Sequence, residues 1–232
     1  NVTTSITATD AAGNASAATT SVTLSGESID ANTPVALTSV TIPDAALKVG
    51  STATVSIVAG EAGLSLNTGT VNGVAVTGFS DDGGGNYSAT YTVVEGHTDI
   101  AAGSDIPVNF ILEDAAGNTS AAFTAAISQA SDAIDANTPA ISGITVADGA
   151  YKVGDAVTVT ITTGEAGQTV AGTFNGQTLT GVTDVTDGTY TATYTVVEGD
   201  ADIADGANVT TSITATDAAG NASAATTSVT LS

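Results

Sequence analysis

The chain has 232 residues, of which 24 are Asp or Glu and only Lys48 and Lys152 carry a fixed positive charge, giving a formal net charge of −22. With nothing to neutralise phosphates, that balance excludes nucleic acid as a partner. The absence of cysteine excludes disulfides, zinc–thiolate sites and cysteine nucleophiles. No run approaches the roughly 18 consecutive apolar residues of a membrane span, so no membrane insertion is expected, and a chain that starts mid-repeat shows no signal peptide.

Residues 1–25 recur letter for letter as residues 208–232. Asp10-Ala-Ala-Gly-Asn14 recurs as Asp114-Ala-Ala-Gly-Asn118 and again as Asp217-Ala-Ala-Gly-Asn221, at offsets of 104 and 103. The chain therefore reads as a window on a tandem array, divided into a fragment at 1–25 and two complete units at 26–130 and 131–232. Five Tyr, four Phe and no Trp leave the core to Val, Ile, Leu and Ala. The abundance of Thr, Val and Ser favours strands.

In chain order, residues 1–25 read as strands F and G of a preceding unit. Such a hairpin, lacking most of its sheet, is marginal alone. It either packs on the next unit, completes another chain, or is a cut through a fibre. In the first complete unit strand A falls at 35–42, strand B at 52–58 and strand C at 64–71. Asn72-Gly73 then makes a two-residue hairpin of the kind that takes positive φ. Strand D is expected at 74–79, strand E at 87–94, strand F at 106–112 and strand G at 120–127. The intervening loops hold Gly60-Glu61-Ala-Gly63, the acidic stretch 81–86, the stretch 95–105 and the turn Asp114 to Asn118. Asn175-Gly176 and the strand at 190–197 fall in matching places in the second unit. Seven short strands in about 100 residues predict an all-β fold of tandem immunoglobulin-like sandwiches, head to tail, with a Greek-key barrel as the alternative. Tyr87, Tyr91, Tyr190 and Tyr194 alternate with small polar residues and are expected in the core.

That topology gives the carboxylates addresses. The N-terminus and the B–C, D–E and F–G loops share one pole of each sandwich. There the first unit collects Asp30 and Asn32, Glu61, Asp81 or Asp82, and Asp114 with Asn118. The second collects Asp135 and Asn137, Glu165, Asp184 or Asp187, and Asp217 with Asn221. Asp10 and Asn14 hold the same place in the fragment. The opposite pole carries the E–F loops, with Asp99 in the first unit and Asp202 in the second. Stacking the units would set the E–F loop of one near the linker of the next. Carboxylates about 4 Å apart repel by about 1 kcal/mol in water and more when shielded. A hard cation reverses that, and Ca2+ takes six to eight oxygens in loose geometry from just such loops. An Asp-Ala-Ala-Gly-Asn segment alone is also explained as a plain turn, and Asp30-Ala-Asn32-Thr-Pro34 as a mere linker. Their joint recurrence at one phase and one pole points to Ca2+. Asp10, Asn14, Asp30, Asn32, Glu61, Asp82, Asp99, Asp114, Asn118, Asp135, Asn137, Glu165, Asp187, Asp202, Asp217 and Asn221 are the candidate ligands.

Asp30-Ala-Asn32-Thr-Pro34 and Asp135-Ala-Asn137-Thr-Pro139 look like shortened forms of the cadherin calcium linker, lacking its middle Asp-Asn. Over its whole length the chain resembles the extender repeats of giant bacterial surface adhesins of the calcium-dependent, type I-secreted (RTX-type) and biofilm-associated kind. Those are acidic, cysteine-free Ig-like domains with Asp-x-Ala-Gly-Asn near the end. The resemblance implies an extracellular, cell-surface location, folding on meeting Ca2+, and a calcium-bridged rod whose partners are neighbouring repeats.

The expected function is thus a structural spacer, with a filament of identical chains joined by strand exchange through residues 1–25 as the alternative. The scarcity of aromatic faces argues against a carbohydrate-binding module. An enzyme is not expected, because the only histidine, His97, is replaced by Asp200 in the second unit. Lys48 and Lys152, both before Val-Gly, read as basic edge residues, with an internal Lys–Asn isopeptide bond as a remote alternative.

Overall fold

A computed structural model describes residues 1–128, 130 and 132–230. Strands β1 (Val2–Ile6) and β2 (Thr19–Val22) form a hairpin. The first complete unit contributes β3 (Ser39–Thr41), β4 (Leu47–Lys48), β5 (Thr52–Val58), β6 (Ser65–Val71), β7 (Val74–Ala75), β8 (Thr77–Asp81), β9 (Asn86–Thr92) and β10 (Val108–Glu113). The linker carries β11 (Ile134–Asp135). The second unit has β12 (Gly143–Val146), β13 (Ala156–Thr162), β14 (Thr169–Phe174), β15 (Gln177–Thr178), β16 (Thr180–Asp184), β17 (Thr189–Thr195), β18 (Asn208–Thr216) and β19 (Ser228–Thr230).

In the first unit the sheets run β3-β5-β9-β8 and β10-β6-β7; in the second, β12-β13-β17-β16 and β15-β14-β18-β19. This is the A-B-E-D against C-F-G division of an immunoglobulin-like sandwich. Alternation drives it. In β5 the residues Ala53, Val55 and Ile57 point inward while the Thr and Ser between them face out. Ala53 lies opposite Tyr91 and Ile57 opposite Tyr87, with Val55 beside Ala89, so small and large side chains interleave. All four strand-E tyrosines are buried.

Three expectations are corrected. Strand D splits: Val74 and Ala75 pair with β6, and the chain then crosses so that Thr77–Asp81 pairs with β9 in the other sheet. Strand G is reduced in the first unit to bridges from Thr119, Phe123 and Ile127 to Glu113, Phe110 and Ile106. Its sequence, with four alanines between Ser120 and Ile127, is poor in the β-branched and aromatic residues that hold a continuous strand. The boundary drawn at 130/131 also moves. The core of the first unit runs on to Ile134 and Ala136, which are 1% and 0% exposed, and the second core begins at Ile144. The cause is packing: the linker inserts into the pole of the unit before it.

The duplicated hairpin provides an internal comparison. Val2 pairs with Val22 just as Val209 pairs with Val229, so identical sequence gives identical register. Ile213 is fully buried beside β14, whereas Ile6, its counterpart, is 65% exposed.

Candidate cation site at the junction between the units

The junction is built around the linker. Ile134 exchanges both backbone hydrogen bonds with Ile100 of the E–F loop, at 2.8 and 2.9 Å, and Leu47 donates its N–H to Ala133 at 2.9 Å. The linker thus lies parallel to β4. Parallel neighbours close in space need a long connection between them, and here the whole first sandwich provides it. Ile134 fills an apolar slot. A residue of this size contributes about 1.5–3 kcal/mol when taken from water.

Beyond the buried Ala136 the E–F carboxylates take over. Asp99 accepts the N–H of Ala136 and the side-chain amide of Asn137, both at 2.8 Å, and Glu95 accepts the N–H of Thr138 at 3.1 Å. These bonds satisfy backbone donors that no sheet partner reaches. From the second unit the Asp217–Asn221 turn descends onto the same place. Asn221 accepts the N–H of Val49 at 3.0 Å and donates to the Asn137 carbonyl at 3.4 Å, while Lys48 Nζ donates to the Gly220 carbonyl at 2.6 Å. Lys48, read from sequence as an edge residue, is thus a strut across the junction. Its signal was there to find: one of only two fixed cations in a very acidic chain, at the pole facing the next unit.

Asp99, Asp135, Asn137, Glu165, Asp217 and Asn221 are therefore brought to one junction by both units. Burial pushes the Asp135 carboxyl above the usual aspartate value, and the charges of Asp217, Asp99 and Glu165 push it the same way. Glu165 is held in place because Tyr190 donates its hydroxyl proton to the Glu165 carbonyl, at 3.1 Å, and accepts the Gln168 N–H at 2.7 Å.

The other candidates lie elsewhere. Asp10 with Asn14, and Asp114 with Asn118, form closed turns. In each, the Asp accepts the Asn side-chain amide at 2.9–3.0 Å and the Asn backbone N–H at 2.8–2.9 Å. The Asn side-chain bond is the main cause holding Asp10 and Asp114 below the ordinary carboxylate range. Asp82 is lowered in the same way by Asn86. Asp30 accepts the Asn32 N–H, at 3.1 Å, while Glu61 takes the Val35 N–H at 3.0 Å. In the second unit Asp184, not Asp187, ties the D–E loop to the B–C loop, accepting the Gly167 N–H at 2.7 Å; Asp187 sits at a positive φ of 57°. Asp202 lines a cavity at the far pole of the second unit.

The donor set at the junction suits a hard cation: carboxylates crowded around Asp135 closely enough to raise its proton affinity, with amide and backbone carbonyls alongside. Among the described residues, however, no three Asp, Glu or His side chains converge closely enough on a point to hold a metal ion. The charge pattern fits Ca2+ and the side-chain placement does not form its coordination shell.

No protein-family description matches the sequence, and no curated protein matches it. Among solved structures, the chain is similar to the fibronectin(III)-like modules of Clostridium thermocellum CbhA. The identity is 18% over 83% of this chain and 93% of that one, with a TM-score of 0.32. It is also similar to the I9–I11 tandem of titin, at 15% identity over 83% and 65% of the two chains, TM-score 0.27. A third likeness is to the SGBP-B protein of the Bacteroides ovatus mixed-linkage glucan utilization locus, solved with a mixed-linkage heptasaccharide. It has 15% identity over 81% and 42% of the two chains, TM-score 0.24. These superpositions are loose, and the reading of this chain as tandem Ig-like sandwiches stands on its own strand order and register.

Proposed function

We propose that this chain is a run of structural extender repeats from a bacterial extracellular adhesin or biofilm matrix protein, stiffened by Ca2+ at the junctions between repeats. One observation carries the reading: carboxylates from both sandwiches crowd Asp135 at a junction that direct bonds already hold together. Such a joint fixes the relative placement of neighbours, and the charge it concentrates is neutralised most cheaply by a divalent ion. Asp99, Asp135, Glu165 and Asp217 would supply the charged oxygens, drawn together on binding. Small-angle scattering and thermal melting in Ca2+ and in EGTA test this. A longer maximum dimension and a higher melting temperature in Ca2+ are expected; unchanged values of both would sink it.

A second reading, a filament joined by strand exchange through residues 1–25, draws support from the exposure of Ile6 against the burial of Ile213 in the same sequence. Concentration-dependent polymerisation that survives deletion of residues 1–25 would rule it out.

A further inference from the structure

Tyr87 and Tyr190 mark the same place in the two units. Each accepts on its hydroxyl the N–H of the residue that ends the B–C loop: Leu64 at 3.0 Å in the first unit, Gln168 at 2.7 Å in the second. Each also donates to the carbonyl three residues earlier, that of Glu61 or of Glu165. Leu64 packs into the core of its unit. Gln168 puts an amide in the matching place and is only 9% exposed. Its Nε2 donates to Glu165 Oε2 at 3.0 Å, which settles which end of the amide is which. Its Oε1 is buried and, among the described residues, accepts no hydrogen bond. A buried acceptor left without a donor destabilises a fold, and an apolar residue fits this position, since the first unit has one. Fold stability alone therefore favours leucine here, and the amide answers to something else.

Its neighbours supply the reason. Glu165 is one of the carboxylates whose charge bears on Asp135 at the junction. With Nε2 on Glu165, amide dimensions place Oε1 within about 5 Å of that carboxylate. The negative end of an amide dipole thus lies beside an acidic cluster with no N–H to meet it, an arrangement that only a cation makes favourable.

We propose that Gln168 Oε1 is a neutral ligand for the cation of this junction and makes the site prefer Ca2+ over Mg2+. The proposal rests on the reading of the junction as a Ca2+ site and adds to it a ligand that the carboxylate pattern does not contain. Ca2+ accepts amide carbonyl oxygens in loose geometry, whereas Mg2+ demands a strict octahedron and keeps several of its waters. A buried oxygen with no charge completes the shell of the first ion without adding repulsion to a crowded cluster, and leaves little room for the hydration of the second. The Nε2 bond meanwhile presets the Glu165 carboxylate, so one side chain offers an oxygen and orients another.

The test uses two variants of the full chain. Gln168→Leu installs the residue of the first unit, and Gln168→Glu restores an oxygen. Each is titrated calorimetrically with CaCl2 and with MgCl2, and melted in EGTA and in Ca2+. The junction's share of the uptake is the part lost in Asp135→Asn. In EGTA, Gln168→Leu should melt at or above the wild-type temperature, because it removes the orphan acceptor. It should bind Ca2+ at least about tenfold more weakly and lose most of the preference over Mg2+. Gln168→Glu should melt below wild type in EGTA and recover Ca2+ binding. A Gln168→Leu chain destabilised equally in EGTA and in Ca2+ would mean that water serves the amide, and overturns the proposal. So does undiminished Ca2+ affinity in that variant, which would leave the Ca2+ reading of the junction standing. A wild-type junction that takes up no Ca2+ overturns both.

Discussion

Asn221 accepts the backbone N–H of Val49 at 3.0 Å, joining two residues 172 positions apart and on different sandwiches. The same asparagine closes its own turn by donating to Asp217 at 3.0 Å. One side chain thus shapes a loop and docks it. Asn118 has the first duty in its own turn. Asn221→Ala should therefore destabilise the chain more than Asn118→Ala, by about 1–2 kcal/mol, the worth of a buried inter-unit hydrogen bond. Denaturant melts of the two variants measure the difference; equal losses would remove Asn221 from the junction.

Ile134 and Ile29 occupy the same place in identical hexapeptides and differ in burial. Ile134→Ala should lower the stability of the first unit by about 2–4 kcal/mol, as for other large-to-small core changes, although it lies beyond that unit's last strand. Ile29→Ala, measured at concentrations too low for assembly, should change stability by less than about 0.5 kcal/mol. Hydrogen exchange resolved by unit distinguishes loss in the first sandwich from loss in the second.

Asp135 sets the pH response of the junction. Its folded-state pKa lies above the ordinary 3.8, first through burial and then through its acidic neighbours. A raised acid contributes stability that is fully present below the unfolded value and lost as pH rises through the folded value. At neutral pH in EGTA the charged group is therefore a liability, and Asp135→Asn should raise the melting temperature. The gain should vanish near pH 3, where Asp135 is protonated anyway. In Ca2+ the same variant should lose the ion's stabilisation. Asp114 runs the other way: its lowered pKa gives stability above 3.8 that is lost as pH falls through the folded value. Calorimetry of Asp135→Asn at both pH values checks the sign.

Gly188 places Glu165 at the junction. At φ +73° it donates no side chain to a spot where its carbonyl accepts the Thr163 N–H at 2.8 Å, and a Cβ there would overlap the backbone of Gly164 and Glu165. Gly188→Ala should cost at least about 2 kcal/mol. Gly199→Ala, with a similar φ but open space around it, should cost only about 1 kcal/mol. Equal costs in thermal melts would mean that the loop contact matters little.

Much of this architecture was legible in the sequence. Strict alternation at 52–58 and 87–94 announces strands with one buried face, and Asn72-Gly73 announces its hairpin, with Asn72 at φ 50°. The insertion of Ile134 was not legible. Six residues carry no period, and the contact that buries them lies about 90 residues back, at Leu47. An apolar Ile kept in both copies of a polar linker was the available clue. The use of Asp99 as an acceptor for linker N–H groups was hidden for a related reason: which backbone donors lack a partner depends on where the linker goes. The split of strand D is hidden in the sequence because its apolar residues continue across the switch between sheets at Val76.

The inserted linker also gives the array a mechanical property. A pull along the chain reaches the bonds between Ile134 and Ile100, and between Leu47 and Ala133, before it reaches the sheets of either sandwich. Freed from the slot, residues 133–136, already extended beside Leu47–Lys48, let the joint lengthen by at most roughly 13 Å while both sandwiches stay folded, and the apolar slot draws them back when tension falls. A series of such joints would yield in small reversible steps, so that sudden drag is absorbed between the domains instead of by unfolding them.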